Sequence, residues 1–263
     1  MKICSGEILC FLDDDVELNP TYLKNLHQLF SEHENVCLAT GPCLPAYEIT
    51  PPDWLSYLWT TNEYGKHCGW LSLLDFGIVN KQIHPNFVWG LNFCIRKKTL
   101  LELGGFHPDY MPQHLQKYQG DGETGLTLKA AANAYEATYS PQLALKHYVP
   151  KERLSPEYLK KRAFFQGICE SFTQLRKEYL SVSVVNKHYR KGIRDHLHPY
   201  YKWVKVFLHQ KRDQAPPEIR TLLKMLHEIE RSGYDFHQQQ FYNDNKIRGW
   251  VLKDNYWDYN LPQ

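Results

Sequence analysis

The first 150 residues alternate between short apolar runs and stretches whose apolar positions follow a helical period. The run GEILCFL at 6–12 has the length of a buried strand and ends in three acids. After Asn19-Pro20 the apolar spacing predicts a helix with Asn19 as its N-cap. The run VCLAT at 36–40 predicts a second strand, which the Gly41-Pro42 pair ends.

The remaining pattern separates an α/β core from a helical region. A long insertion at 42–85, rich in Pro, Gly and Trp, is expected to be partly irregular. Beyond it the pattern predicts a strand at 87–95, helices at 98–103 and 124–132, and two strands within 134–147. From Ser155-Pro156 the pattern is helical, and Pro216-Pro217 separates a further helix at 218–231 from a polar, aromatic tail. We predict an α/β core at 1–150 and a helical region at 151–263.

Charge divides the chain in nearly the same place. Residues 1–150 hold 10 Lys and Arg against 16 Asp and Glu, whereas residues 151–213 hold 15 against 6. Such a basic segment can meet phosphates or an anionic membrane surface, and the alternative is a solvated helical face. We predict no nucleic-acid partner, and pairing of the C-terminal helices into a homo-oligomer stays open.

The composition is that of an ordinary globular protein, with 43% hydrophobic residues and no apolar run near the ~20 residues that span a bilayer. The N-terminal apolar stretch ends in acids rather than in a small-residue cleavage site, so we predict no signal peptide. Seven cysteines without a Cys-x-x-Cys pair argue against a disulfide framework. We therefore predict a cytoplasmic protein that can also lie against the inner face of the membrane.

Three adjacent carboxylates, Asp13, Asp14 and Asp15, follow the first predicted strand. They repel one another unless a cation or solvent compensates them. In an extended chain Asp13 and Asp15 point to the same side, which suits two oxygen ligands of one Mg²⁺ or Mn²⁺ ion. The alternative is a solvated acidic turn in front of the following helix.

Other candidate groups come later in the chain. The stretch GDGETG places Asp121 and Glu123 beside glycines, where either carboxylate could take a proton from a hydroxyl. The alternative is an ordinary turn at a helix start. His147 ends a predicted strand and could be a third metal ligand or a part-buried imidazole bonded to backbone. Arg153, in the basic stretch after it, could hold phosphate oxygens.

Four stretches, taken in order, resemble family 2 glycosyltransferases, which have the GT-A fold. They are GEILCFLDDDVELNPTYL, FVWGLNFCIRKKTLLELGGFHPDY, YQGDGETGLTLKAA and ALKHYVPKERLSPEYLKKRAFFQG. The resemblance implies a partial, Rossmann-like GT-A sheet and an inverting transfer of a sugar from a nucleotide-diphosphate sugar to a hydroxyl. It further implies a Mn²⁺ or Mg²⁺ cofactor, a carbohydrate or lipid-linked acceptor, and use in polysaccharide biosynthesis.

The resemblance also implies roles for the acids of the triplet. Asp13 and Asp15 would bind the divalent ion, with His147 as the third ligand. Asp14 would touch the ribose or the donor sugar, and Arg153 would contact the diphosphate.

A second group of residues would serve the sugars and the transfer. Trp89 and Asn92 would face the acceptor or the donor sugar, and Glu123 would be the catalytic base. Asp121 remains a rival base because the family's usual Glu-Asp pair is replaced here by Asp-Gly-Glu.

Members of this family begin with a strand–helix–strand unit that holds the nucleotide base, whereas five residues precede the first predicted strand here. An open parallel sheet without those strands would expose an apolar edge. We therefore expect a fragment, the product of an internal start or frameshift, or a subunit that borrows its missing half. The alternative function is a truncated, non-catalytic glycosyltransferase remnant, or a subunit that needs a partner to bind nucleotide.

Overall fold

The computed structural model describes residues 3–183, 215–257 and 260–262, and within them the chain is α/β with mixed sheets and a helical C-terminal region, as predicted. The strands are β1 (Ile8–Leu12), β2 (Val16–Leu18), β3 (Val36–Thr40), β4 (Cys43–Tyr47), β5 (Thr60–Thr61), β6 (Lys66–Cys68), β7 (Leu73–Asp75), β8 (Lys81–Ile83), β9 (Asn92–Arg96), β10 (Glu136–Tyr139) and β11 (Leu145–Val149). The α-helices are α1 (Tyr22–Glu32), α2 (Lys97–Glu102), α3 (Glu123–Ala132), α4 (Pro156–Ser183), α5 (Pro217–Asn243) and α6 (Asn245–Val251).

Contacts divide the chain into two compact units, each built from two segments. Unit 1 comprises Met1–Leu103 and Ala134–Ser155 and contains all the described strands. Unit 2 comprises Gly104–Asn133 and Pro156–Gln263. The predicted boundary at 150 lies near the last break between the units, but residues 104–133 group with the C-terminal helices rather than with the strands.

Unit 1 holds two mixed sheets, with the strand orders β1-β9-β3-β10-β8 and β2-β11-β4-β7-β6-β5. β10 is parallel to β3 and β11 is parallel to β4, so two chain segments pass side by side from one sheet to the other. Gly41 lies between β3 and β4, where a Cβ would be 2.2 Å from the carbonyl oxygen of Leu143. Only glycine allows the two segments to approach so closely.

Helix α1 covers the first sheet with an apolar stripe at helical spacing. Its buried side chains pack with residues of β3 and β9 in one cluster, which comprises Tyr22, Leu26, Leu29, Phe30, Val36, Ala39, Cys94 and Leu143. Arg96, at the end of β9, donates to the carbonyl oxygens of Phe30, His33 and Val36. This side chain therefore satisfies carbonyl groups that the end of α1 leaves without helical partners.

Helices α4 and α5 cross in unit 2 at two glycines. A Cβ at Gly167 would lie 1.9 Å from the carbonyl oxygen of Glu230, and one at Gly233 would lie 2.0 Å from that of Phe164. The two backbones are thus in direct contact. Because neither glycine can accept a methyl group, the crossing depends on both of them.

Several predicted elements need correction. The helix α1 begins at Tyr22, so Thr21 rather than Asn19 occupies the N-cap position, but the Thr21 side chain makes no capping hydrogen bond. The Asn19 side-chain oxygen accepts from the Thr21 nitrogen and hydroxyl in front of the helix. The strand predicted at 87–95 is confined to β9, since the nitrogen of Asn92 donates to the carbonyl of Trp89 and closes a turn there. The helix predicted at 218–231 continues to the end of α5, and the polar tail contains α6 with Trp250 buried.

No helix in the described ranges has the combination of length and apolar character that crossing a bilayer requires. Of the basic segment at 151–213 that is predicted to meet phosphates or a membrane surface, residues 184–213 lie outside the described residues.

Candidate functional site

The predicted acids Asp13, Asp14 and Asp15 lie in and beside the turn between β1 and β2, where the chain passes from the first sheet to the second. Asp13 and Asp14 are exposed, and Asp15 is half-buried. β2 is antiparallel to β11, and the register sets the residue after Asp15 opposite His147. The nitrogen of Tyr148 also donates to the Asp15 carbonyl at 2.9 Å. Strand pairing therefore brings Asp15 beside His147.

Arg153 contacts both of these side chains. Its Nη2 is 2.9 Å from Asp15 Oδ2, and its Nη1 is 2.7 Å from His147 Nε2. Because a guanidinium group only donates, His147 Nε2 accepts, and the neutral ring carries its proton on Nδ1. Asp15 Oδ2 and His147 Nε2 are thus two acceptor atoms, 3.5 Å apart, that share one cationic partner.

The charges of this cluster shift the pKa values of its members. Burial lowers the pKa of His147 and Arg153 lowers it further, against the opposing effect of Asp15. Partial burial raises the pKa of Asp13, and the Asp15 carboxylate raises it further. Asp15 Oδ1 and His147 Nδ1 are buried without a hydrogen-bond partner. The turn therefore carries negative charge and an acceptor oxygen that an additional cation would compensate.

The donor types at this turn fit a hard divalent cation, because carboxylate oxygens and a neutral imidazole are suitable ligands for Mn²⁺. Asp15 offers the unpartnered Oδ1, and burial together with the Asp15 charge raises the pKa of Asp13 despite the opposing effects of His147 and Arg153. Within the described ranges, however, no group of three or more His, Cys, Asp or Glu side chains is arranged to hold a metal ion. The Arg153 guanidinium supplies the positive charge between Asp15 and His147.

Asn92 is fully buried and bonded within unit 1. Its Oδ1 accepts from the Tyr22 hydroxyl at 2.5 Å, and its Nδ2 donates to the carbonyl of Leu143 at 3.0 Å. The amide therefore ties α1, the start of β9 and the connection between β10 and β11 together. This is a positioning role, and the predicted contact between Asn92 and a sugar stays a prediction.

Trp89 is half-buried beside an aromatic cluster of unit 1. Its Nε1 donates to the carbonyl of Asn86 at 3.0 Å, and its ring meets the His67 ring edge-to-face at 6.1 Å. These contacts fix the indole, and its predicted role toward a sugar also stays a prediction.

Asp121 and Glu123 belong to unit 2, at the start of α3. Asp121 is buried and both of its oxygens are engaged: Oδ1 lies 2.5 Å from His107 Nδ1, and Oδ2 accepts from the Thr173 hydroxyl at 2.6 Å. On the other side of the His107 ring, Lys129 Nζ lies 3.1 Å from Nε2. Glu123 is the first residue of the helix and is half-buried.

The buried network of Asp121 determines its protonation state. Burial acts to raise the pKa of Asp121, but His107, Thr173 and Arg176 outweigh burial and hold it below the ordinary value. Burial lowers the pKa of His107, so the neutral ring donates from Nδ1 to the carboxylate. Lys129 donates to the remaining ring nitrogen, and burial lowers its pKa to about 8.

His107 and Lys129 were not predicted from the sequence as members of this network. A signal was present at Gly125, a glycine inside the predicted helix, where a Cβ would lie 2.3 Å from His107 Nδ1. A glycine in a helix interior costs stability relative to alanine, and a close neighbour is one reason for its presence.

The structure thus brings Asp13, Asp15, His147 and Arg153 to one turn of unit 1 and places Asp121 and Glu123 in unit 2. No protein-family model and no curated protein matches the chain. Among solved structures, it is similar to the mannosyltransferase PcManGT from Pyrobaculum calidifontis in complex with GDP-Man and Mn2+, at 17% identity and a TM-score of 0.41. The match covers 98% of this chain and 65% of that one, so this chain spans about two thirds of that protein's length. At that TM-score we transfer no residue role from it.

Proposed function

We propose that the protein is a glycosyltransferase that moves a sugar from a nucleotide-diphosphate sugar to an acceptor hydroxyl. The observation that carries the proposal is the cluster of Asp15, Arg153 and His147, in which an acceptor atom from a turn and one from β11 converge on the Arg153 guanidinium. The order of the four stretches that resemble family 2 glycosyltransferases supports it.

Donor binding would use the turn after β1. Asp13, Asp15 and His147 would hold Mn²⁺ or Mg²⁺, which when bound supplies positive charge that stabilises the leaving diphosphate. Arg153, which now donates to Asp15, would instead donate to phosphate oxygens of the bound substrate. A planar guanidinium forms paired hydrogen bonds to such groups. Asp14, exposed in the same turn, would contact the ribose or the donor sugar.

Glu123 would take the proton from the acceptor hydroxyl in an inverting transfer. Both oxygens of the rival Asp121 are bonded to His107 and Thr173 inside unit 2, and the resemblance to family 2 glycosyltransferases implies that Glu123 occupies the base position. A general base needs a carboxylate oxygen that can be directed at the hydroxyl.

The acceptor would be a carbohydrate or a lipid-linked sugar. An open depression of about 480 Å³ in unit 1 has Tyr47, Tyr57, Trp59 and Asp53 in its lining, together with Pro51, Pro52, Leu55 and Ser56. Aromatic rings stack on the apolar faces of sugars, and a carboxylate accepts hydrogen bonds from hydroxyl groups. This chemistry supports a carbohydrate as the acceptor.

The test compares the wild-type protein with Asp15→Ala for Mn²⁺-dependent binding and hydrolysis of UDP-glucose and GDP-mannose. We expect hydrolysis by the wild type with one of the two donors and a loss of about 100-fold or more in the variant. Glu17→Ala is the matched control, since Glu17 is an exposed acid two positions away in β2.

If Asp15→Ala hydrolyses the nucleotide sugar as fast as the wild type does, the turn after β1 is not the donor site. Failure of both nucleotide sugars to bind at millimolar concentration would contradict a donor site in this chain. Mn²⁺ binding without nucleotide binding would favour the non-catalytic alternative.

A further inference from the structure

Cys10 of β1 and Cys94 of β9 lie directly opposite one another in an antiparallel strand pair, with their Sγ atoms 3.3 Å apart. Three steps along the same register, the nitrogen of Lys97 donates to the carbonyl of Glu7 at 2.7 Å. Hydrogen-bonded and non-hydrogen-bonded pairs alternate in such a ladder. Since Glu7 and Lys97 form a hydrogen-bonded pair and the cysteine pair is an odd number of steps away, Cys10 and Cys94 form a non-hydrogen-bonded pair. Opposing side chains are closest at such positions.

That position is compatible with a covalent bond between the sulfurs. Opposing Cα atoms of a non-hydrogen-bonded pair lie about 4.5 Å apart, which is within the range of about 4.4 to 6.8 Å found across disulfides. Closing Cys10 and Cys94 would require the sulfurs to approach from 3.3 Å to about 2.05 Å, a movement of side chains rather than of strands.

The two thiols are not equivalent. Cys94 is fully buried, whereas Cys10 is half-buried. The Tyr22 hydroxyl lies 3.3 Å from Cys94 Sγ and 3.7 Å from Cys10 Sγ. Hydrogen bonds from Cys94 and Tyr22 hold the pKa of Cys10 below its ordinary value against the effect of burial. Cys10 is therefore the thiol that an oxidant meets first, and Cys94 is the thiol beside it.

We propose that Cys10 and Cys94 are a modification site that forms a reversible disulfide on reaction with hydrogen peroxide. The Cys10 thiolate attacks one peroxide oxygen and breaks the O–O bond, which gives a sulfenic acid, and the other oxygen leaves as water after protonation. Cys94 loses its proton and attacks Cys10 Sγ, the S–S bond forms, and the sulfenic oxygen leaves as a second water. Two thiols are oxidised, one peroxide is reduced, and a dithiol reductant reverses the bond.

This inference is independent of sugar transfer. The crosslink would join β1 to β9 three residues before Asp13 and two residues after Asn92, so it lies within the framework that positions the turn. No other residue needs to move into place, because strand pairing already holds the sulfurs together.

The test treats the native wild-type protein with a small molar excess of hydrogen peroxide and blocks remaining thiols after denaturation. The blocked protein is then digested and its peptides are identified by mass spectrometry. We expect Cys10 and Cys94 to disappear together from the seven free thiols, a Cys10–Cys94 peptide pair lighter by two hydrogens to form, and both thiols to return with dithiothreitol. In Cys94→Ser the sulfenic acid at Cys10 has no thiol to react with, so dimedone should label it. The wild type should show no such label at Cys10. Cys37→Ser is the control and should still form the crosslink.

Recovery of both Cys10 and Cys94 as free thiols, at a peroxide dose that oxidises the exposed Cys4, would overturn the proposal. A disulfide from Cys10 to any other cysteine would overturn it too. Because the peptide map is made on the wild type, the outcome does not depend on whether a variant folds.

Discussion

His107 Nδ1 lies 2.5 Å from Asp121 Oδ1, and both side chains are almost wholly buried. The Thr173 hydroxyl engages the other oxygen of Asp121 at 2.6 Å. Breaking a buried, hydrogen-bonded charge network leaves its partners uncompensated. This contact indicates that Asp121 maintains unit 2, and it favours Glu123 as the candidate base.

We predict opposite effects for substitutions at these two acids. Asp121→Ala should lower the free energy of unfolding by about 3–5 kcal/mol, because His107 and Thr173 lose a buried partner. Glu123→Gln should lower that free energy less than Asp121→Ala does, because Glu123 is half-buried whereas Asp121 is buried, and should lower the sugar-transfer rate about 10²- to 10⁴-fold. Denaturant unfolding and turnover with the donor identified above measure the two effects.

The conservative change Asp121→Asn separates the roles further. If it abolishes transfer while the protein unfolds like the wild type, and Glu123→Gln transfers normally, the assignment of the base is reversed.

Arg153 should control the protonation of His147. Burial and the guanidinium charge lower the pKa of His147, so Arg153→Gln, which removes the charge, should raise it. Titration of the imidazole signals by NMR measures the change. Lys146→Gln is the control, since the exposed Lys146 ammonium lies 3.4 Å from Glu17 rather than at the cluster. An unchanged or lower His147 pKa in Arg153→Gln would show that the guanidinium is not its electrostatic partner.

His67 should make the protein less stable in acid. It is buried among Phe76, Phe87 and Trp89, and burial lowers its pKa to about 4. In the unfolded chain the pKa is about 6.5, so the unfolded state binds the proton first as the pH falls. The neutral His67 therefore contributes fully to the free energy of unfolding above pH 6.5. Protonation of the unfolded state lowers that free energy by roughly 3 kcal/mol at pH 4.

Unfolding free energies at pH 7 and pH 4.5 test this prediction. His67→Phe should have a shallower pH dependence than the wild type, and Thr60 keeps a partner because its hydroxyl also donates to the residue 67 carbonyl. His27→Gln, at an exposed position of α1, should follow the wild type. If the unfolding free energy of His67→Phe falls with pH as steeply as that of the wild type, His67 is not the cause of the loss of stability in acid.

The crossing of α4 and α5 should not tolerate a methyl group. Gly167→Ala and Gly233→Ala each place a Cβ within about 2 Å of a backbone oxygen of the facing helix, and each should cost about 1–3 kcal/mol or more. Gly249→Ala is the matched control, because nothing lies within 4 Å of its Cβ position in α6. That change should stabilise the protein by up to about 1 kcal/mol, and thermal unfolding measures all three. Equal stability of Gly167→Ala and Gly249→Ala would mean that the helices do not cross at this point.

Local patterns were informative wherever the deciding forces are local. The apolar runs at 6–12 and 36–40 became β1 and β3, because a short apolar run between turn signals is typical of a strand. β3 is buried as that pattern predicts, whereas β1 lies at the edge of its sheet and only Leu9 in it is buried. Helices α2 and α3 begin within one residue of their predicted starts. The N-cap position of α1 lies two residues after the predicted Asn19, because the first α-helical residue is Tyr22; the Asn19 side chain still accepts from the Thr21 nitrogen, and the Thr21 side chain makes no capping bond.

By itself the sequence determined the α/β class, the run of acids after the first strand and the set of groups capable of binding a cation, since these depend on residue type and near neighbours. Only the tertiary structure decided which groups meet. The pairing of β2 with β11 brings Asp15 to His147 and Arg153, and the burial of His107 commits Asp121 to a network inside unit 2. Strand pairing and burial join residues far apart in the chain, and no local pattern records those partners.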